Sequence, residues 1–278
     1  MGKPILQHQI EMMKAVGIDR IFVVIGYLGY EIVRTLGTLP DMGVKIEYLE
    51  QTETLGIAHA VGRLEGYVQK PFLLCLGDIF FVSARLQTLF DSFEKGNTKA
   101  VLASKIEDRP EMIRRNFAII PGEDGSVKRV IEKPRYLQNK LKGCGIYLFD
   151  LDIFDAIRRT PRTAMRDEYE ITESIQILID DGHFVVHANI IDEDSNVTTP
   201  EDLLHINLAE MKRLGLNNFA LDDADLSGIS NCVIGRRVAL QHPVSLQSCI
   251  LFDDVVVSRH SKFNGAILTP DGVIQCSL

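Results

Sequence analysis

Along this chain, apolar residues recur first at helical spacing and then in short β-branched runs, and the two patterns alternate through most of its length. Ile5, Ile10, Met13 and Val16 line one face of a helix over 5–16, entered at Pro4 and closed by Gly17. Residues 18–25 predict a strand, and Gly26-Tyr-Leu-Gly29 turns the chain into a helix over 30–36. A strand over 44–49, a helix over 57–64 and a strand over 72–76 follow. Such alternation predicts right-handed crossovers and a mostly parallel sheet with helices on both faces. The rhythm then loosens into a helix over 86–93, a strand over 100–104, and a hairpin of 116–120 with 127–131 around Pro121-Gly-Glu-Asp-Gly125. A strand over 143–149, helices over 152–159 and 172–181, and a strand over 184–188 come next. Thr199 is placed as the N-cap of a last helix, 200–214, whose first turn carries Glu201 and Asp202 at the positive dipole end.

From Ile229 the period changes. Ile234, Leu240, Leu246 and Phe252 are six apart, and Val238, Val244, Ile250 and Val256 repeat the same interval. Six fits neither an amphipathic helix nor simple alternation. It predicts a short parallel β-solenoid of hexapeptide repeats, a left-handed β-helix over 217–278 behind an α/β domain over 1–216, with coil ends that favour oligomerisation.

The stretch that organises the α/β domain is Phe72-Leu-Leu-Cys-Leu-Gly-Asp-Ile-Phe-Phe81. A continuous apolar run reads as a strand buried on both faces, and ligands in open α/β sheets bind at the carboxyl edge of such strands. Asp78 stands there. By itself Gly77-Asp78 suits an ordinary capping turn as well as a divalent metal. Other polar patches have the same ambiguity. Gln51-Thr-Glu-Thr-Leu-Gly-Ile-Ala58 is either a plain loop or a close backbone approach to a ligand beside a glutamine amide. Ile131-Glu-Lys-Pro134 is either an exposed ionic turn or a carboxylate and ammonium for sugar hydroxyls and a phosphate. Asp194-Ser-Asn-Val-Thr-Thr-Pro200 contains both the helix cap and a possible oxygen ligand, Asn196.

Composition narrows the classes. With 278 residues the chain can bury a large core, and a net charge of −8 argues against general nucleic-acid binding. No run is long and apolar enough for a membrane span, and no leader pattern precedes the first helix. Cys75, Cys144, Cys232, Cys249 and Cys276 are scattered without metal or redox spacing, which points to reduced thiols and a cytoplasmic setting. His183 and His187 share a strand face without a third ligand, and the solenoid lacks the longer array expected of an acyltransferase.

Taken in order, Gly2-Lys-Pro-Ile-Leu, Gly56-Ile-Ala-His-Ala, Leu76-Gly-Asp78, Glu132-Lys-Pro134, Gly145-Ile-Tyr147, Thr199-Pro-Glu-Asp-Leu-Leu and the hexapeptide tail resemble the sugar-1-phosphate nucleotidyltransferases, or nucleotide-sugar pyrophosphorylases. The resemblance implies a Rossmann-like domain that joins a nucleoside triphosphate to a sugar 1-phosphate, releases pyrophosphate and requires Mg2+. It places Gln51 and Gly56 near the base, Glu132 at the sugar, Gly145 among the substrate-binding residues, Lys133 on the sugar phosphate, and Asp78 with Asn196 on the metal, so that Asp78 and Lys133 carry catalysis. Many relatives have aspartate where this chain has Asn196. Family members also begin with a strand, a G-x-G-T-R loop and a Pro-Lys that have no counterpart before Gly2, so no residue is assigned to the pyrophosphate. Two readings follow: an active transferase whose true start lies upstream, or an inactive paralogue serving as a regulatory or nucleotide-sugar-binding subunit, associated with itself or a related chain.

Overall fold

A computed structural model describes residues 1–163 and 167–277. Packing groups the chain into two compact units, Gln9–Gly77 with Phe81–Asp194, and Met1–His8 with Asp78–Phe80 and Ser195–Leu278. The helix over 200–214 thereby groups with the repeat region rather than with the residues before it.

The expected alternation opens the chain: α1 (Ile5–Ala15), β1 (Arg20–Ile25), α2 (Gly29–Gly37), β2 (Lys45–Glu50), α3 (Ile57–Gly62) and β3 (Phe72–Cys75). Then come β4 (Ile79–Val82), α4 (Thr88–Phe93), β5 (Thr98–Ile106), α5 (Pro110–Arg115), β6 (Phe117–Pro121), β7 (Val127–Glu132) and β8 (Leu141–Phe149). The first unit closes with α6 (Asp152–Arg159), α7 (Ile171–Asp180), β9 (Phe184–Asn189) and β10 (Glu193–Asn196), whose last two residues pass into the second unit.

The main sheet runs β7-β6-β8-β5-β9, with β3 also on β8. It is mixed, which corrects the expectation of a mostly parallel sheet. β1 and β2 are parallel, as are β5 and β9, but β8 is antiparallel to β3, β5 and β6. β7 and β8 are each antiparallel to β6 and so share a direction, and the link between them, residues 133–140, holds no helix. Every residue of β8 is buried. One of its edges is taken by β5, while the other is divided: β6 pairs at Lys142 and Gly143, and β3 pairs from Ile146 to Phe149. Tyr147 and Phe149 stack at 5.4 Å, and Phe117 and Phe72 extend the column at 5.9 Å each. Burial of each such ring is worth about 1.5–3 kcal/mol. Among the described residues β1 has β2 as its only strand partner, and it reaches the core through Phe22 and Val24.

In the second unit, α8 (Pro200–Arg213) begins at Thr199 as expected, with a capping box: Asp202 N donates to Thr199 Oγ1 at 3.2 Å and Thr199 N to Asp202 Oδ2 at 2.8 Å. Ten short strands follow: β11 (Phe219–Ala220), β12 (Ile229–Ser230), β13 (Val233–Ile234), β14 (Ala239–Leu240), β15 (Ser245–Gln247), β16 (Ile250–Leu251), β17 (Val256–Val257), β18 (Lys262–Asn264), β19 (Ala266–Thr269) and β20 (Gly272–Gln275). They form three sheets, β11-β13-β16-β19-β20, β12-β15-β18 and β14-β17, parallel except for the terminal β19–β20 hairpin. Val233, Ile250 and Ile267 pair in succession, as do Leu246 with Phe263 and Ala239 with Val256, each partner 17 residues on.

That interval corrects the six-residue count. A circuit of 17 is one short of three sixes, so the inward position moves from the expected Phe252 to Leu251 and from the expected Val256 to Val255. Leu251 and Val255 are 1% and 2% exposed, whereas Phe252 and Val256 are 42% and 61% exposed. A one-residue slip exchanges the two faces of a strand. Val233, Ile250 and Ile267 cluster instead with Leu204 and Met211 of α8.

At the end of β5, Glu107 is 4% exposed and grips Arg109 bidentately, Nε to Oε1 at 2.8 Å and Nη2 to Oε2 at 3.0 Å. The Arg109 hydrogen bonds hold the Glu107 carboxyl down to about 2 from an ordinary 4.5. A depressed carboxylate stabilises above its unfolded pKa and loses that contribution as pH falls toward the folded one. Glu107→Gln is therefore expected to lower stability by about 1–2 kcal/mol at pH 7, allowing for the half-exposed arginine, and by progressively less below pH 4.5; urea midpoints at pH 7, 4 and 3 check it.

Candidate functional site

The divided edge of β8 decides where Asp78 emerges. Leu76, just beyond β3, donates its amide to Gly145 O at 3.1 Å, and its carbonyl accepts from Gln9 Nε2 at 2.8 Å. Gly145 has φ +63° and sits where β3 leaves β8 and β6 takes over the edge. The chain is thus held at Leu76 and freed at Gly77-Asp78, both exposed, before buried Ile79 starts β4. β4 pairs with β10, and Val197 N donates to Asp78 O at 2.8 Å. That bond brings Asp78 and half-buried Asn196 onto neighbouring strands of one unit.

Among the described residues no group of three or more His, Cys, Asp and Glu gathers as a closed metal site. One carboxylate beside one amide oxygen fits magnesium, which keeps several waters and substrate oxygens and needs only one or two protein ligands. The same unit holds a mainly apolar cavity of about 440 Å³, lined by Phe80, Val197, Leu203 and Ile250 with Lys3 and Arg236 among its polar residues. Its surface suits an apolar group better than a phosphate.

The other expected residues lie in the first unit. Gln51, at the end of β2, donates its amide to Ile25 O at 2.7 Å, and its Nε2 meets His59 Nδ1 at 3.2 Å. His59, on α3, stacks on Tyr169 at 6.3 Å. Gly56 has φ +105°, and a Cβ there would lie 2.6 Å from Tyr169 O and 2.8 Å from Tyr169 N. Two backbone bonds hold that approach: Ala58 N to Tyr169 O at 2.9 Å and Tyr169 N to Leu55 O at 2.8 Å. Gln51 and Gly56 therefore belong to one cluster with His59 and Tyr169.

Three residues after Tyr169, Thr172 donates to Glu132 Oε2 at 3.3 Å, at the end of β7. Lys133 follows, exposed, with φ +41° and its amide donating to Asn116 O at 2.8 Å. Lysine in the left-handed region is uncommon, and such strain concentrates at functional positions. Burial first, and the Glu132 carboxylate second, push the Tyr147 hydroxyl well above its usual range. Residues 169–172 thus link the Gln51–Gly56 cluster to Glu132. Sequence reasoning assigned no role to Tyr169 and took Thr172 only as the start of the helix over 172–181. The available signal was an aromatic residue and a threonine flanking the buried Glu170.

Gly56→Ala is expected to displace the Tyr169 main chain, costing about 2 kcal/mol through positive φ and overpacking. Faster hydrogen exchange at the Ala58 amide, with protection in β5 and β8 retained, is the measurement.

Residues 1–213 match the family model described as nucleotidyl transferase. The chain is 34% identical over 232 residues to the low-salt glycan biosynthesis nucleotidyltransferase Agl11 of Haloferax volcanii, covering 82% of this chain and 63% of that protein. It is 31% identical over 217 residues to a glucose-1-phosphate thymidylyltransferase of Streptomyces antibioticus, covering 77% of this chain and 59% of the relative. With the UTP–glucose-1-phosphate uridylyltransferase AglF of Haloferax volcanii, identity is 31% over 201 residues, covering 72% of this chain and 81% of the relative. The chain thus spans about three fifths of the length of the first two. A solved UDP-glucose pyrophosphorylase complexed with UDP-glucose shares the fold at a TM-score of 0.65 and 18% identity, covering 77% of this chain and 88% of that one. With the family model spanning Met1 to Arg213, and with relatives 31–34% identical over most of the chain, this chain belongs to the nucleotidyl transferase family, among the sugar-1-phosphate nucleotidyltransferases.

Proposed function

We propose that the chain transfers a nucleotidyl group from a nucleoside triphosphate to a sugar 1-phosphate, releasing pyrophosphate. An oxygen of the sugar phosphate attacks the α-phosphorus in line, and the bond from that phosphorus to the oxygen bridging to the β-phosphate breaks. No covalent work falls to the protein, so positioning and charge neutralisation carry the reaction. Gln51, with its amide held by His59, reads a base edge, and the Gly56 turn lets backbone approach the nucleoside. Glu132, oriented by Thr172, accepts sugar hydroxyls beside Gly145, and exposed Lys133 neutralises the sugar phosphate. Asp78 and Asn196 would hold Mg2+, which when bound offsets charge on the phosphate oxygens. The observation that supports this reading is the backbone bond from Val197 N to Asp78 O, which pairs the residue after Asn196 with Asp78 beyond the end of β3. Similarity to thymidylyl- and uridylyltransferases directs the substrate choice to dTTP or UTP with glucose 1-phosphate. We propose further that residues 217–278 form a left-handed β-helix that supports self-association.

Pyrophosphate release with UTP or dTTP, glucose 1-phosphate and Mg2+ tests the proposal. Turnover is expected, abolished by EDTA, reduced about 100-fold or more in Asp78→Ala, and shifted to an about tenfold higher KM for the sugar phosphate in Lys133→Ala. Nucleotide-sugar binding without turnover would assign the regulatory reading instead, and neither binding nor turnover would refute both.

A further inference from the structure

The most deeply buried charges in the first unit do not belong to the substrate cluster. Lys142 and Asp194 are paired at 2.7 and 2.8 Å to the two carboxylate oxygens, with side chains 0% and 1% exposed. Lys105 stands 4.0 Å from the same carboxylate and 3.3 Å from Glu193. Cys144 is fully buried nearby, and burial first and Asp194 second push its thiol well above the usual range. Removing two charges from water consumes about as much free energy as their attraction returns, so such a pair contributes little net stability and is best attested as a device that selects one register.

Its position shows which register. Lys142 is the second residue of β8, and Asp194 lies on β10, two residues before Asn196 and therefore on the same side of that strand. β8 also holds the other arm, because Gly145 O accepts from Leu76 N two residues before Asp78. Both proposed metal-holding residues thus follow, at the same short interval, an anchor on β8. β10 is only four residues long and pairs with β4, so few ladder bonds of its own resist slippage. A one-residue slip would turn Asn196 to the opposite side.

We infer that the Lys142–Asp194 pair is a positioning device that locks the register of β10 on β4 and so keeps Asn196 beside Asp78. Neither residue is catalytic. The inference deepens the metal reading above, yet its first test does not depend on that reading.

The Val197 amide reports register directly through its bond to Asp78 O, and hydrogen exchange followed by NMR measures it. In Lys142→Met/Asp194→Leu, which removes both charges together, Val197 exchange is expected to speed up about tenfold or more while amides of β5 and β6 stay protected. The exchanged pair Lys142→Asp/Asp194→Lys restores the attraction and is expected to restore protection. Asp194→Asn keeps the shape and a hydrogen bond, and serves with the same expected direction should the apolar pair fail to fold. Unchanged Val197 exchange in the folded uncharged variants overturns the inference. The second readout is Mn2+ alone, titrated by electron paramagnetic resonance. Mn2+ affinity is expected to fall about tenfold in the apolar pair and at least as far in Asp78→Asn. Loss in Asp78→Asn without loss in the apolar pair overturns the positioning role alone. No loss in Asp78→Asn overturns the metal reading, while Val197 exchange still decides whether the pair sets the register.

Discussion

A single strand with no exposed residue, β8, is the constraint on which the first unit depends. Burial on both faces requires apolar or paired side chains along its whole length, and an aromatic column and one ion pair supply them. Burial along both edges requires complete backbone pairing. β5 meets that need along one edge, and β3 and β6 share the other. A shared edge must have a junction, and at the junction two strands diverge. Gly145 is located there, and the chain leaving β3 is released to present Asp78.

The polar residues follow from that arrangement. Strand ends and the turns after them carry Gln51, Asp78, Glu132, Lys133 and Asn196, while the most deeply buried ion pair on the strands, among the described residues, is Lys142–Asp194. Polar groups at strand ends keep one orientation only where further bonds hold them. Fixing is visible at four of the five: His59 on the Gln51 side chain, Thr172 on the Glu132 carboxylate, and backbone bonds to Asn116 at Lys133 and to Val197 at Asp78. A reaction that relies on orientation and charge needs held groups more than reactive ones.

In the second unit the deciding quantity is the length of a circuit. Parallel stacking requires each coil to return to the same angle, so the residue directly above another is set by circuit length rather than by a local hydrophobic count. Seventeen residues per circuit leave Phe252 and Val256 outside and bring Leu251 and Val255 in. The row of Val233, Ile250 and Ile267 then forms an outer apolar stripe that α8 covers.

Local physics in the chain was enough for the elements and for the inventory of chemistry. Helical and strand periods, the Thr199 cap, the Gly77-Asp78 break and the Glu132-Lys133 pair each express interactions between residues close in sequence. What sequence could not supply was any relation between distant residues. The direction of β8 relative to its neighbours depended on its pairing with β3, β5 and β6, and the adjacency of Tyr169 to Gly56 on backbone bonds across more than a hundred positions. Asn196 beside Asp78, Asp194 on Lys142 and the 17-residue circuit are likewise choices among registers of similar local energy. Only the packed core distinguishes those registers, because a slip of one residue leaves every local propensity unchanged and reverses which side chains are buried.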